Sequence, residues 1–477
     1  MKQHGLVIRG VACALAGVAP FAAGGQVDSV SAAPPPPPAV VCDGTTEWRV
    51  GPPDGTPPEL RTLDAWLART PALDEALLSS DDIALLVARN QGVPGAWREF
   101  LGDDPPTAEG VAGEIGERVG EIGARLAVGE LVEGEPGRFD EARRIVASAE
   151  PVDELRAVAA PIDLHCLPVV GGYFRPPIDR LFGRNQCSRL HPGELVRVLR
   201  ATRDGRWRYV WAGHGVGWLA DSDQAGALSR PMAPSVARDR RDEEPRLRVL
   251  GDLVPAWTAE GRLVFLRLGT SFRAVGMLTL STSTGAQPER LWQILVPSPE
   301  TPSGTTDAFV ADTPEVHLGP LPLTRRAVLS LAFARLGDPY GWGGTLGFRD
   351  CSGLLQDVMA TFDFWLGRHS SVQAESGAVV LDVTGRGDDD KRQTIAAAAR
   401  RGIVFLYMPG HIMLYLGEDG GRPYALSAIS EYVVPCPDGG KKTIRLDRVE
   451  VTDLERGRGT ERTAFIERIA KVAIFGR

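Results

Sequence analysis

The sequence predicts an α+β protein built from three kinds of segment in turn: an N-terminal helical stretch, two small glycine-punctuated β units, and a C-terminal unit of helices packed on an antiparallel sheet. Three observations carry this reading. Residues 60–160 repeat apolar groups at helical spacing. Residues 165–318 hold short apolar runs broken by glycine, the pattern of small closed barrels. Residues 324–428 place two helical runs ahead of three strands joined by turn residues.

The first 33 residues read as a secretory signal. Lys2, His4 and Arg9 give a basic start, Gly10 to Gly25 an alanine-rich apolar stretch, and Ser31-Ala32-Ala33 the small residues before Pro34 to Pro38. Cleavage near Ala33 and cleavage near Ala22-Ala23 both fit. Cys42 follows Ala39-Val40-Val41, which lacks the small residue expected before a lipidated cysteine, so soluble export is expected: a periplasmic or secreted protein. No transmembrane segment beyond the signal is expected. Residues 34–58 form a proline-rich linker.

A helical domain is expected over 59–160. Leu63, Trp66 and Leu67 recur at helical spacing, Ser79-Ser80-Asp81 is a cap cluster, and Ile115, Val119, Ile122 and Leu126 follow at three- and four-residue steps. At Pro161 the period turns to that of strands. A first barrel is expected over 161–225, a charged linker from Pro231 to Pro245, and a second barrel over 246–318.

With 43% hydrophobic and 24% charged residues the chain is globular, and its net charge of −8 comes without a basic cluster. No nucleic-acid partner is expected. Loss of the signal removes Cys13 and leaves five cysteines; with Cys351 set aside as a thiol, four remain for two disulfides. Cys166 with Cys187 is the favoured pair, and Cys42 with Cys436 follows by arithmetic alone. No spacing suggests zinc, and no cofactor or metal is expected. Asp388 to Asp390 read as a solvated loop or a helix start rather than a calcium site.

Residues 324–477 hold the chemistry. Thr324 can cap a helix that carries Val328, Leu331, Ala332 and Leu336 on one face. Cys351 then opens the run CSGLLQDVMATF. A cysteine in a first helical turn faces the positive end of the helix dipole, which favours thiolate; a small buried cysteine is the alternative. Gly402 to Ala428 reads as a three-stranded meander whose middle strand opens with His411. Thiol and imidazole at facing ends of a helix and a strand make a nucleophile and base pair.

The run PYGWGG, then DCSG, then Arg368-His369-Ser370-Ser371-Val372-Gln373, then Gly410-His411-Ile412 resembles the NlpC-type cell-wall cysteine peptidases. The middle of the chain resembles the bacterial SH3-like barrels that precede this domain in some members. The resemblance implies a papain-like catalytic domain over 324–477 and an exported cysteine endopeptidase of peptidoglycan stem peptides. Its bond would be the γ-D-glutamyl–diamino acid bond of short muropeptides with a free N-terminal L-Ala. It implies Cys351 as nucleophile and His411 as base. Asp350, Ser352, Trp342 and Ser370 would line the substrate site, and Tyr173 of the first barrel would lie over the cleft, sharing with Asp350 the substrate's amine. Members carry a third polar residue, often His, on the strand after the base; Ser427 stands there in this chain. A peptidoglycan-binding protein of the same fold with weakened turnover is therefore the alternative.

Overall fold

The computed structural model describes residues 46–53, 55–220, 226–280, 289–437 and 440–477. The signal, the run of prolines, Cys13 and Cys42 lie outside the described residues, which all belong to one compact unit, Val40–Arg477. Among them no helix is long and apolar enough to cross a membrane.

The C-terminal domain is built on a seven-stranded sheet. Its strand order is Glu47–Trp48, Lys441–Asp453, Arg422–Pro435, His411–Asp419, Gly402–Met408, Lys471–Gly476, Val379–Asp382. The expected meander forms its centre. Period-2 alternation splits its side chains between two faces. Ile412, Leu414 and Leu426 pack under the helices Arg325–Phe333 and Cys351–Ala360. Met413, Tyr415 and Ala425 pack under the helices Asp388–Arg401 and Phe465–Arg468. Thr324 caps as expected, its hydroxyl accepting from the Ala327 N–H at 3.2 Å. Asp388 to Asp390 begin a helix, where acids favour the dipole.

The first barrel is a six-stranded sheet closed to the surface by Gln186–Leu190 at one edge and Ala149–Ala157 at the other. It therefore starts at Ala149, not at 161. Pro151 and Asp153 are exposed on the side where Ala149, Leu155 and Ala157 are buried, and a bulge falls between Pro151 and Glu154, so its alternation is faint. The second barrel is a seven-stranded antiparallel sheet from Arg246 to Leu318. The expected linker between the barrels contains a helix, Pro234–Asp242, with Pro in its first turn. Only Ala237 of that helix is buried, so hydrophobic periodicity gives no signal.

The helices expected over 59–160 are present, and they serve two different cores. Leu60, Trp66, Ile83 and Val87 join the core of the C-terminal domain. From the helix Ala108–Ala127, Val111 and Ile115 pack with Trp207, Tyr209 and Trp218 of the first barrel. The Cys166–Cys187 disulfide forms as expected, and Cys436 is disulfide-bonded.

Candidate functional site

Cys351 is the first residue of the helix Cys351–Ala360 and the only free cysteine among the described residues. Asp350 caps that helix, its side chain accepting from the Gly353 N–H at 2.8 Å. The thiol is buried and receives the backbone N–H of Ile412, the residue after His411. The start of this helix thus rests on the first residues of the strand His411–Asp419. His411 is half-buried, and its Nε2 lies 3.1 Å from the Ser427 Oγ. Ser427 is buried on the next strand, so it can hold the ring in one orientation and tautomer.

The electrostatics differ from the helix-dipole expectation. Burial and the Asp350 carboxylate push the Cys351 thiol up to about 12, outweighing the Ile412 and Ser352 N–H groups and Arg368. Burial, with Arg468 nearby, lowers His411 to about 4. Both groups therefore rest neutral at neutral pH.

Asp350 is occupied. One oxygen accepts from Gly353 N–H, Ser352 Oγ and Arg368 Nη1 at 2.8, 3.2 and 2.9 Å; the other accepts from Gly343 N–H and Arg368 Nη2 at 3.0 and 2.7 Å. Five donors meet about four lone-pair sites, leaving none for a substrate ammonium. Ser352 also accepts from Arg368 Nη1 at 2.9 Å, which makes it part of the same buried network. Arg368 was quoted in the motif but given no role by sequence reasoning. It also donates to Ser188 of the first barrel at 3.1 Å, and Gln373 donates to the Ser352 carbonyl at 2.9 Å.

Tyr173 is not over the cleft. It is fully buried among Ile122, Leu131, Ala142 and Cys166, edge-on to Phe139, with its hydroxyl unpartnered. Pairing of Tyr173 with Glu133 turns the side chain into this core. Among the barrel residues that reach the site loop, 340–347, are Phe182 and Arg184. Phe182 stacks on Tyr340 at 5.6 Å and lies 5.9 Å from Trp342, while the Arg184 guanidinium lies 3.8 Å from the Trp342 ring centre. Tyr340 feels Asp350, Cys351, Arg368 and Arg184, so wall and nucleophile share one neighbourhood. Ser370 starts a short helix, Ser370–Gln373, that packs near the nucleophile helix and the base strand.

Glycine lets the barrel approach. Gly343 and Gly344 have φ of 60° and 87°, and a Cβ at Gly343 would sit 2.5 Å from the Gln186 carbonyl oxygen. A separate cavity of about 610 Å³ lies behind Arg368, lined by Gly353, Arg349, Glu194 and Leu268 but by neither Cys351 nor His411.

Residues 337–423 match the NlpC/P60 family, a span that holds Trp342, Asp350, Cys351, Arg368 and His411. The chain carries an NlpC/P60 domain. Residues 173–220 match an SH3 domain of the SH3b1 type. A probable endopeptidase of Corynebacterium glutamicum is 35% identical over 77 residues, 16% of this chain and 37% of that protein. The chain thus matches little more than a third of that relative's length. Among solved structures, an NlpC/P60 endopeptidase from Photobacterium damselae subsp. piscicida is 14% identical with a TM-score of 0.64, covering 84% of this chain and 94% of that one. At that identity the likeness speaks to fold. An NlpC/P60 family protein from Bacillus cereus ATCC 10987 is 15% identical at a TM-score of 0.44, over 68% of this chain and 100% of that one. The NlpC/P60 domain and the SH3b1 barrel together account for the α+β architecture.

Proposed function

We propose that this protein is an exported cysteine endopeptidase that hydrolyses the γ-D-glutamyl–diamino acid bond of peptidoglycan stem peptides. The observation that carries the reading is the Cys351 thiol accepting the backbone N–H of Ile412, the residue next to His411, whose Nε2 lies 3.1 Å from Ser427 Oγ. His411 takes the thiol proton as sulfur attacks the carbonyl and returns it to the leaving amine. The Cys351 N–H, in the first turn of its helix, has no intrahelical acceptor and is available to the developing oxyanion. Water then releases the acyl group from the sulfur. Selection for a free N-terminal L-Ala is not carried forward, because the acceptors of Asp350 are filled. The SH3b1 barrel, at the wall of the site, fits a cell-wall partner.

Incubation with L-Ala-γ-D-Glu-diaminopimelate, followed by mass analysis, should yield L-Ala-D-Glu and free diaminopimelate. Cys351→Ala should abolish this with the fold kept, since the residue is small and its contribution is the sulfur. Wild-type turnover in Cys351→Ala would refute the reading. The uncharged Ser427 and the raised thiol favour one alternative, a binding protein of the same fold with weakened turnover. Tight peptide binding with no product would select it.

A further inference from the structure

We infer that Arg184 anchors a carboxylate on the acyl side of the scissile bond, so that the site selects γ-linked glutamyl peptides with a free α-carboxylate over their amidated counterparts. This rests on the endopeptidase reading above.

Arg184 belongs to the first barrel and is fixed at both ends. Its backbone N–H donates to the Tyr173 carbonyl at 2.6 Å, and its guanidinium lies over the Trp342 ring. Among the described residues that guanidinium has no carboxylate partner. The acid that acts on it, Glu130, is already bound by Arg125 at 2.8 Å and Arg175 at 3.5 Å. The buried Nε donates to nothing. Arg368 and Arg445, two further guanidinium groups near this wall, are both paired, with Asp350 and with Asp179 and Asp447. Burial and the neighbouring Arg175 pull Arg184 down to about 10, which still leaves it charged at neutral pH.

A cation taken partly out of water without a counter-ion is costly, and a ligand anion removes that cost. The other groups that act with Arg184 on the Tyr340 hydroxyl are already satisfied: Asp350 has no free acceptor, Arg368 is paired with it, and the Cys351 thiol rests neutral, so Arg184 is a cation left for a ligand anion. In a γ-linked glutamyl peptide the side-chain carboxyl forms the amide, so the α-carboxylate of the same residue stays free on the acyl side. The planar guanidinium fork matches a carboxylate.

Two peptides test this: L-Ala-γ-D-Glu-diaminopimelate and the same peptide with the glutamyl α-carboxylate amidated. For the wild-type chain, kcat/KM should favour the acid by about 10- to 100-fold, the range of a charge-assisted hydrogen bond. Arg184→Gln should bring the acid-to-amide ratio near one, and Arg184→Lys should restore it in part. Thermal unfolding reports whether each variant keeps its fold. A wild-type ratio near one, or a ratio that a folded Arg184→Gln leaves unchanged, overturns the inference whatever the absolute rates. Should Arg184→Gln not fold, Arg184→Lys decides, and an undiminished ratio there refutes the forked contact. Calorimetric titration of Cys351→Ala protein with both peptides separates the two readings. A binding preference for the acid without hydrolysis by wild type upholds the anchor and overturns the endopeptidase. Hydrolysis without preference does the reverse. Neither binding nor turnover overturns both.

Discussion

Asp350 and Arg368 form a buried pair, so loss of either partner should reach the fold before it reaches the substrate. Removing one member of such a pair costs about 3–5 kcal/mol because the other is left uncompensated. Asp350→Asn should lower Tm sharply and slow hydrolysis of free-amine and N-acetylated peptides alike; a loss confined to free-amine peptides would restore an ammonium-binding role. The neutral thiol makes a second prediction. Alkylation of Cys351 by iodoacetamide should keep rising from about pH 6 to about pH 9, because thiolate is the reactive form. A plateau near pH 6 would mean a standing ion pair. His411 titrates the other way. Its folded value is lowered to about 4 from the ordinary 6.5, so the unfolded chain takes up its proton first. The stability it contributes is complete above about 6.5 and is lost as pH falls toward about 4, and His411→Asn should flatten that limb of the Tm profile. That Cys351 opens a helix against the strand of His411, with Ser427 on the next strand, was legible in the sequence because those positions follow from motif order and strand alternation. The occupancy of Asp350 was not, since a donor's choice of acceptor depends on side chains far apart in the chain. Tyr173 was misplaced for a related reason: an aromatic among Gly and Pro gives no direction for its ring.

Among the elements, the site loop and the two strands behind it set the geometry. Gly343→Ala would force a left-handed φ on a residue with a Cβ and push that carbon against the Gln186 carbonyl. The backbone term alone is about 1–2 kcal/mol. The barrel strand Gln186–Leu190 must shift or the loop must, and the expected result is a lower Tm with a lower kcat/KM. An unchanged variant would show that barrel and loop are not in register contact. On the strand Arg422–Pro435, Ser427→Ala removes one neutral hydrogen bond to the base, worth about 1 kcal/mol. The kcat should fall about five- to tenfold with little change in KM, whereas an unaltered kcat would mean that His411 is oriented by packing alone. The helix after Thr324, the nucleophile helix and the meander could be read from caps, periodicity and turns. Ala149–Ala157 and Pro234–Asp242 could not. One is a bulged edge strand and the other a helix with a single buried side chain, so neither leaves a hydrophobic period to read.

In the whole molecule, the second barrel is joined to the catalytic domain by charge. Asp252 accepts from Arg349 and from Arg335 Nη1, the latter at 2.8 Å, and Arg349 also donates to Asp357 at 2.6 Å. Arg349 holds the Asp252 carboxyl far below its ordinary range. Stability from this pair is present above the unfolded carboxylate value and lost as pH falls below it. Asp252→Asn should lower Tm at neutral pH, by the loss of a buried partner, and the difference from wild type should shrink in acid; a constant difference would locate the effect elsewhere. Such joints explain why the helices between 59 and 160 could be recognised as helices while their allegiance to two cores could not: allegiance is decided by partners hundreds of residues away. The disulfide Cys166–Cys187 bears on the life of the reactive sulfur. A compartment that oxidises one pair of cysteines also threatens a third with mixed disulfides and sulfenic acid. Those reactions need thiolate and access, and Cys351 offers little of either while it waits. The protein can therefore mature among oxidants with its nucleophile intact, the sulfur coming into play when a bound peptide brings a carbonyl to it.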